Sequence, residues 1–214
     1  MRARSTLRAT IRAFGFGCLM LGSGMAGYVG WLLWGTGLET ARAQEELGTE
    51  VTREWRNPTP PPQKEERYLP GEVYAAIVIP SIDIDFYVVE GSDEAYTSPE
   101  WTTALKKGPA HYPGTADPWD ATGRVAIAGH RTTYLHPFLN LDRVRPGDRI
   151  RLLTKHGTFL YEVDRNFVVP AAGSGVVLEQ TERPTLVLTT CHPRYSSRER
   201  LIVTAEQVDG PAVV

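Results

Sequence analysis

Cysteine is scarce in this chain of 214 residues, with only two, Cys18 and Cys191. Cys18 falls inside an uncharged run, residues 13–38, where a thiol behaves as a small buried apolar group. Cys191 is then left without a partner, which excludes a framework of intrachain disulfides. A lone thiol of this kind is an inert buried group, half of an intermolecular bridge, or a group put to use. Charge of one sign is also lacking: Lys and Arg number 23 against 25 Asp and Glu, a net charge of −2. Without a basic excess, a protein that reads nucleic acid is not the expected class. No acidic residue precedes Glu39, whereas Arg2, Arg4, Arg8 and Arg12 do.

The uncharged run 13–38 exceeds the ~20 residues that an α-helix needs to cross a bilayer. Tyr28, Trp31 and Trp34 gather toward its far end, where amphipathic rings favour the interface. The arginines on one flank predict a cytoplasmic segment 1–12, a transmembrane helix 13–38, and everything from Glu39 onward outside the cell membrane. A cleaved signal peptide is the alternative, with Ala41-Arg42-Ala43 as the cleavage site. Glycines 22, 24, 27 and 30 would let a second helix approach closely. Residues 39–71 read as a polar helical stalk and then a spacer, Asn57-Pro58-Thr59-Pro60-Pro61-Pro62, in extended polyproline form. That segment is expected to hold the folded part away from the bilayer.

Residues 72–208 read as one folded domain, followed by a short tail, 209–214. Seven strand-like runs occupy 74–80, 84–91, 124–130, 148–154, 158–169, 185–191 and 200–208, which suggests a domain of about eight strands. Ser98-Pro99-Glu100 offers an N-cap and a proline at the first helical position for one short helix ending before Gly108. Many short strands and few helices predict a mostly β barrel or sandwich.

His130 and Cys191 end two of these strands, and Arg198 and Arg200 stand at the start of the last. Thiol and imidazole form a nucleophile with an acid or base partner, and a guanidinium stabilises a developing oxyanion. His192, His130 and His136 are too scattered for a zinc site, so no metal is expected. Asp83, Asp85, Asp117 and Asp120 read as solvated turns, and His111 and His156 as loop or surface residues.

The segments Ala128-Gly129-His130-Arg131-Thr132-Thr133-Tyr134, Leu188-Thr189-Thr190-Cys191-His192-Pro193 and Arg200-Leu201-Ile202-Val203 together resemble the sortases, most closely those of class E. The resemblance covers roughly residues 72–206 and implies an eight-stranded β-barrel with short helices, preceded by the membrane helix. It implies a cysteine transpeptidase without cofactor, cutting a sorting signal of LAxTG or LPxTG type between Thr and Gly. Cys191 would form a thioacyl intermediate and His130 would carry protons. Arg200 is the better match for the catalytic arginine, with Arg198 second, while Tyr134 and Thr190 are candidate substrate contacts. The implied partners are secreted proteins bearing the signal and a cell-wall amine nucleophile, with surface attachment preferred to pilin polymerisation. A hydrolytic cysteine peptidase and a non-catalytic binding domain are the other readings. Leu135-His136 replaces the small pair expected after Tyr134, which predicts an altered substrate groove.

Overall fold

The computed structural model describes residues 2–55, 59–62, 68–92 and 98–211, so Asn57 and Pro58 of the expected spacer lie outside the described residues. Two apolar runs, β1 (Val73–Ile79) and β2 (Ile84–Glu90), pair antiparallel across a turn that begins at Pro80 and ends at Asp83 with φ 55°. After them come β3 (Ala110–His111), β4 (Arg124–Ala128), β5 (Arg149–Thr154), β6 (Gly157–Pro170), β7 (Thr185–His192) and β8 (Glu199–Asp209). They close into a barrel in the order β1-β2-β3-β4-β7-β8-β6-β5. Closure leaves no unpaired edge, and it depends on β3, a two-residue strand that bridges β2 and β4. No periodicity marks so short a strand, and it is absent from the runs outlined above. β4 itself ends at Ala128, so His130 lies just beyond the strand that the run 124–130 predicted.

β4 and β7 read as almost unbroken apolar runs because both of their faces are covered. Ile127, Leu186 and Leu188 point into the barrel core with Ile77, Leu152 and Phe159. Ala126 and Val187 face outward with Ile202, beneath the 3₁₀ turn Ala171–Leu178 that contributes Val177. The predicted short helix, Pro99–Lys107, is capped as expected: Ser98 Oγ accepts from the Trp101 amide at 3.1 Å.

The N-terminal part is one continuous rod of α1 (Arg2–Gly30), a π-helical turn (Trp31–Gly35) and α2 (Thr36–Glu54), and α3 (Pro99–Lys107) lies against it. Residues 11–30 are long and apolar enough to span a membrane, and none of that stretch is buried by the rest of the chain. α2 is not the free stalk that composition suggested. Gln44 Nε2 donates to the Tyr87 and Lys107 carbonyls, each at 2.9 Å, and its Oε1 accepts from the Tyr87 amide at 2.8 Å. One turn earlier Thr40 Oγ1 donates to the Lys106 carbonyl at 2.7 Å, and one turn later Leu47 is buried with Val73, Val89 and Trp101. Even Thr59 of the proline-rich stretch donates its amide to the Lys155 carbonyl at 2.9 Å. The stripe 36, 40, 44, 47 has helical spacing, but Thr36, Thr40 and Gln44 bind through hydrogen bonds and only Leu47 packs as an apolar group, so no apolar pattern announces it.

The barrel also encloses polar groups expected on the surface. His111 is buried: its Nδ1 pairs with Glu90 Oε2 at 2.9 Å and its ring stacks on Tyr74 at 4.0 Å. Tyr74 in turn donates its hydroxyl to Asp117 Oδ1 at 2.8 Å. His156 is likewise buried, edge-on to Trp119 at 4.5 Å. These groups are tolerated inside because each has a partner. Burial, reinforced by the nearby Asp120 and Glu90 carboxylates, pushes the Asp117 carboxyl up to about 6 against the opposing pull of His111 and Tyr74. The folded chain therefore holds this proton more tightly than the unfolded chain, whose carboxyl titrates at ~3.9, and Asp117 costs stability as pH rises through that window. Asp117→Asn keeps an acceptor for Tyr74 without the charge. Its melting temperature is expected to gain on the parent between pH 4 and pH 7, by calorimetry at several pH values; a pH-independent difference would refute the assignment.

Candidate active site

Strand register assembles the site. β4 and β7 run parallel with Ala128 level with Thr189, and the Gly129 amide continues the ladder to the Thr189 carbonyl at 3.1 Å. Thr190, buried, donates its hydroxyl to the Gly129 carbonyl at 2.7 Å. His130 therefore leaves β4 at the level of Cys191. On the other side of β7, Cys191 lies directly opposite Arg200 in the antiparallel pairing with β8. Alternation places Cys191 and Arg200 on the outward face shared by Val187 and Ile202. Two strand crossings thus bring His130, Cys191 and Arg200 to one rim from positions 70 residues apart in sequence.

The structure also ranks the other expected residues. Arg198 precedes β8, is exposed, and has no place opposite the thiol, so only Arg200 has the register of a partner. The Arg200 guanidinium rests on the Ser197 and Glu199 carbonyls at 2.9 and 3.0 Å. Thr190 commits its hydroxyl to the β4–β7 junction, which makes it a fastener between strands. Tyr134 does lie at the rim, its ring 4.9 Å from that of His130.

His130 is the most perturbed group at the site. Burial lowers its imidazole to about 4, so at neutral pH the ring is uncharged. Its Nε2 is buried and has no hydrogen-bond partner among the described residues. A buried polar nitrogen of this kind favours a hydrogen-bonding group in its direction. The ring is held by a loop folded back on itself: the Phe138 amide donates to the His130 carbonyl at 3.1 Å, and Phe138, fully buried, lies so close over Gly129 that a Cβ there would meet the ring at 2.6 Å. Between these points Tyr134, Leu135 and His136 all take positive φ, 53°, 58° and 42°. Each non-glycine residue in that region costs about 1–3 kcal/mol, so the surroundings must impose the shape.

Arg131, which the sequence offered only as part of a motif, is buried to 3% exposure. Its Nη1 donates to the Cys191 carbonyl at 3.3 Å and to His192 Nδ1 at 2.8 Å, and its Nη2 pairs with Asp142 Oδ2 at 2.9 Å. A guanidinium can only donate, so His192 Nδ1 is the acceptor in this contact. Arg131 thereby fastens the residue after His130 to the thiol-bearing residue and to the turn Leu141–Arg143. Basic side chains usually read as surface, and only the fold reveals that three acceptors converge on this one.

Comparison with known proteins places this rim in context. A family model described as the sortase domain matches residues 77–208. The chain is 30% identical over 176 residues to Sortase D of Bacillus subtilis strain 168, covering 79% of this chain and 83% of that protein. It is 26% identical to Sortase SrtE1 of Streptomyces coelicolor over 97% of this chain and 60% of the relative. Among solved structures, a Clostridium perfringens Sortase D5 transpeptidase superposes with a TM-score of 0.64 at 26% identity, covering 78% of this chain and 99% of its own.

Arg131→Met preserves bulk but leaves three acceptors without their donor. The expected loss is about 2–4 kcal/mol of unfolding free energy in urea titrations, with Arg131→Lys recovering only part because an ammonium does not fork. Parent-like stability of the Met variant would count against the triple role.

Proposed function

The chain belongs to the sortase family of cysteine transpeptidases, and from that premise we propose a membrane-anchored sortase that cleaves an LAxTG- or LPxTG-like sorting signal between Thr and Gly. It then transfers the protein to a cell-wall amine. The apolar helix 11–30 supports the anchor, and Arg2, Arg4, Arg8 and Arg12 support a cytoplasmic N-terminus. Kinship extends to both class D and class E relatives, and the class E reading of the motifs agrees with SrtE1.

The observation that carries the roles is the register row His130, Cys191, Arg200, with an unpaired ring nitrogen on the first. In the proposed reaction Cys191 Sγ, as thiolate, attacks the threonine carbonyl carbon. Arg200 swings from its own turn to the oxyanion that forms. The C–N bond then breaks, and His130 gives its proton to the leaving glycine amine. In the second half the incoming amine loses a proton to His130 and attacks the thioester, and the thiolate departs. Burial suits His130 to this work: the lowered basicity makes its protonated form a stronger acid toward the amine, though few rings carry the proton at neutral pH.

Incubated in detergent with a signal peptide and an amine, the full chain is expected to yield the amide product and a thioacyl adduct on Cys191 by mass spectrometry. Cys191→Ala is expected to lose at least about a thousandfold in rate. Hydrolysis alone at every amine concentration would exclude the transferase. The acid limb of kcat/KM should fall near pH 4, because below it the resting imidazole is protonated and the thiolate fraction declines. A limb near the ordinary imidazole value of ~6.5 would mean that the ring is solvated.

A further inference from the structure

The left-handed segment Tyr134, Leu135, His136 does not stand alone. The Tyr134 amide donates to Thr36 Oγ1 at 3.3 Å, and Thr36, only 5% exposed, sits in the first turn of α2 with its hydroxyl donating to the Leu32 carbonyl at 2.9 Å. Beside it, Leu135 Cδ2 lies 3.3 Å from where a Cβ on Gly37 would be. A Cβ at 37 would ask Leu135 to give by only a few tenths of an ångström, whereas a longer side chain there would press on the loop. Thr40 and Gln44 continue the attachment along the same face, so the contact is the upper end of a seam of hydrogen bonds.

We propose that the first turn of α2 is a positioning element of the active site: Thr36 and Gly37 hold Tyr134, Leu135 and His136 in their left-handed path and so set the Tyr134 ring against His130. The role in catalysis rests on the function proposed above, whereas the contact itself does not. The helix that carries Thr36 runs through the π turn into the apolar span, and Gly30 and Thr36 are separated by about 9 Å of helix rise. The anchor and the reactive rim are thus mechanically one unit, and detaching the barrel from residues 36–54 removes a wall of its own site.

The test uses the full chain in detergent micelles. Gly37→Leu forces the loop aside, and Thr36→Val removes the acceptor for the Tyr134 amide. Each is expected to lower kcat by about 10- to 100-fold, the scale of a misplacement near 1 Å, while KM for the amine changes less than about twofold. Leu135→Ala, added to Gly37→Leu, empties the space and is expected to restore most of the rate. Leu38→Ala, on the exposed side of the same turn, should match the parent. Independently of turnover, the His130 ring titrated by NMR is expected to move upward from about 4 in Gly37→Leu, because its aromatic cover is displaced. Parent-like kcat and parent-like His130 titration in Gly37→Leu would overturn the proposal, as would a loss that Leu135→Ala fails to rescue. A chain inactive in every form, whose His130 titration still responds to Gly37→Leu and recovers with Leu135→Ala, would sink the proposed function and leave the positioning contact standing.

Discussion

The site depends on the parallel pairing of β4 with β7. Parallel neighbours end on the same side of a sheet, so the residues that follow β4 emerge beside the last residues of β7. An antiparallel arrangement would send His130 to the opposite rim. A shift of one residue in the register with β8 would face Arg200 toward Leu201's side, into the core. The register is held by what both faces bury: Ile127 and Leu188 inside the barrel, Ala126, Val187 and Ile202 under the 3₁₀ turn outside. Apolar packing thus sets where polar groups meet, and Thr190 and Arg131 lock the two strand ends with directed bonds.

The same economy appears in the loop that carries the imidazole. Its fixed points are a glycine without room for a side chain under Phe138, an arginine buried among three acceptors, and a helix turn that accepts the Tyr134 amide. Between them the backbone adopts three successive conformations that an unsupported chain would leave. Strain of this kind persists only where neighbours over-determine the shape, which makes the loop's geometry a property of barrel, turn and N-terminal helix together.

Much of this was legible in the sequence, for identifiable reasons. Long apolar runs announce strands, Ser98-Pro99 announces the cap, and the uncharged run announces the span. Cys191 stood out because it had no partner, and the flanking motifs gave the resemblance that joined it to His130 and Arg200. What stayed hidden has a common cause: each feature depends on partners distant in sequence. β3 is two residues long and exists only by pairing on both sides. Glu90 and His111 carry surface-type side chains and become interior because they pair with each other, while half-buried Asp117 accepts from Tyr74. α2 docks by the amide of Gln44 and the hydroxyls of Thr36 and Thr40, which hydropathy patterns ignore.

Desolvation links the helix contact to the chemistry. His130 is held uncharged by burial, and the Tyr134 ring is part of what lies over it. A cover that is too loose lets water stabilise the imidazolium, which would raise the ring's basicity and weaken it as an acid toward the leaving amine. A cover that is too tight would close off the unpaired Nε2 from substrate. The useful position lies between, and a side chain cannot choose it from a strained loop alone. A helix turn fastened over two further turns can, because Thr40 and Gln44 fix its position by hydrogen bonds to β2 and to the end of α3. Through Tyr134 the helix turn at Thr36 therefore bears on the electrostatics of His130, and it belongs to the same continuous rod as the apolar stretch 11–30.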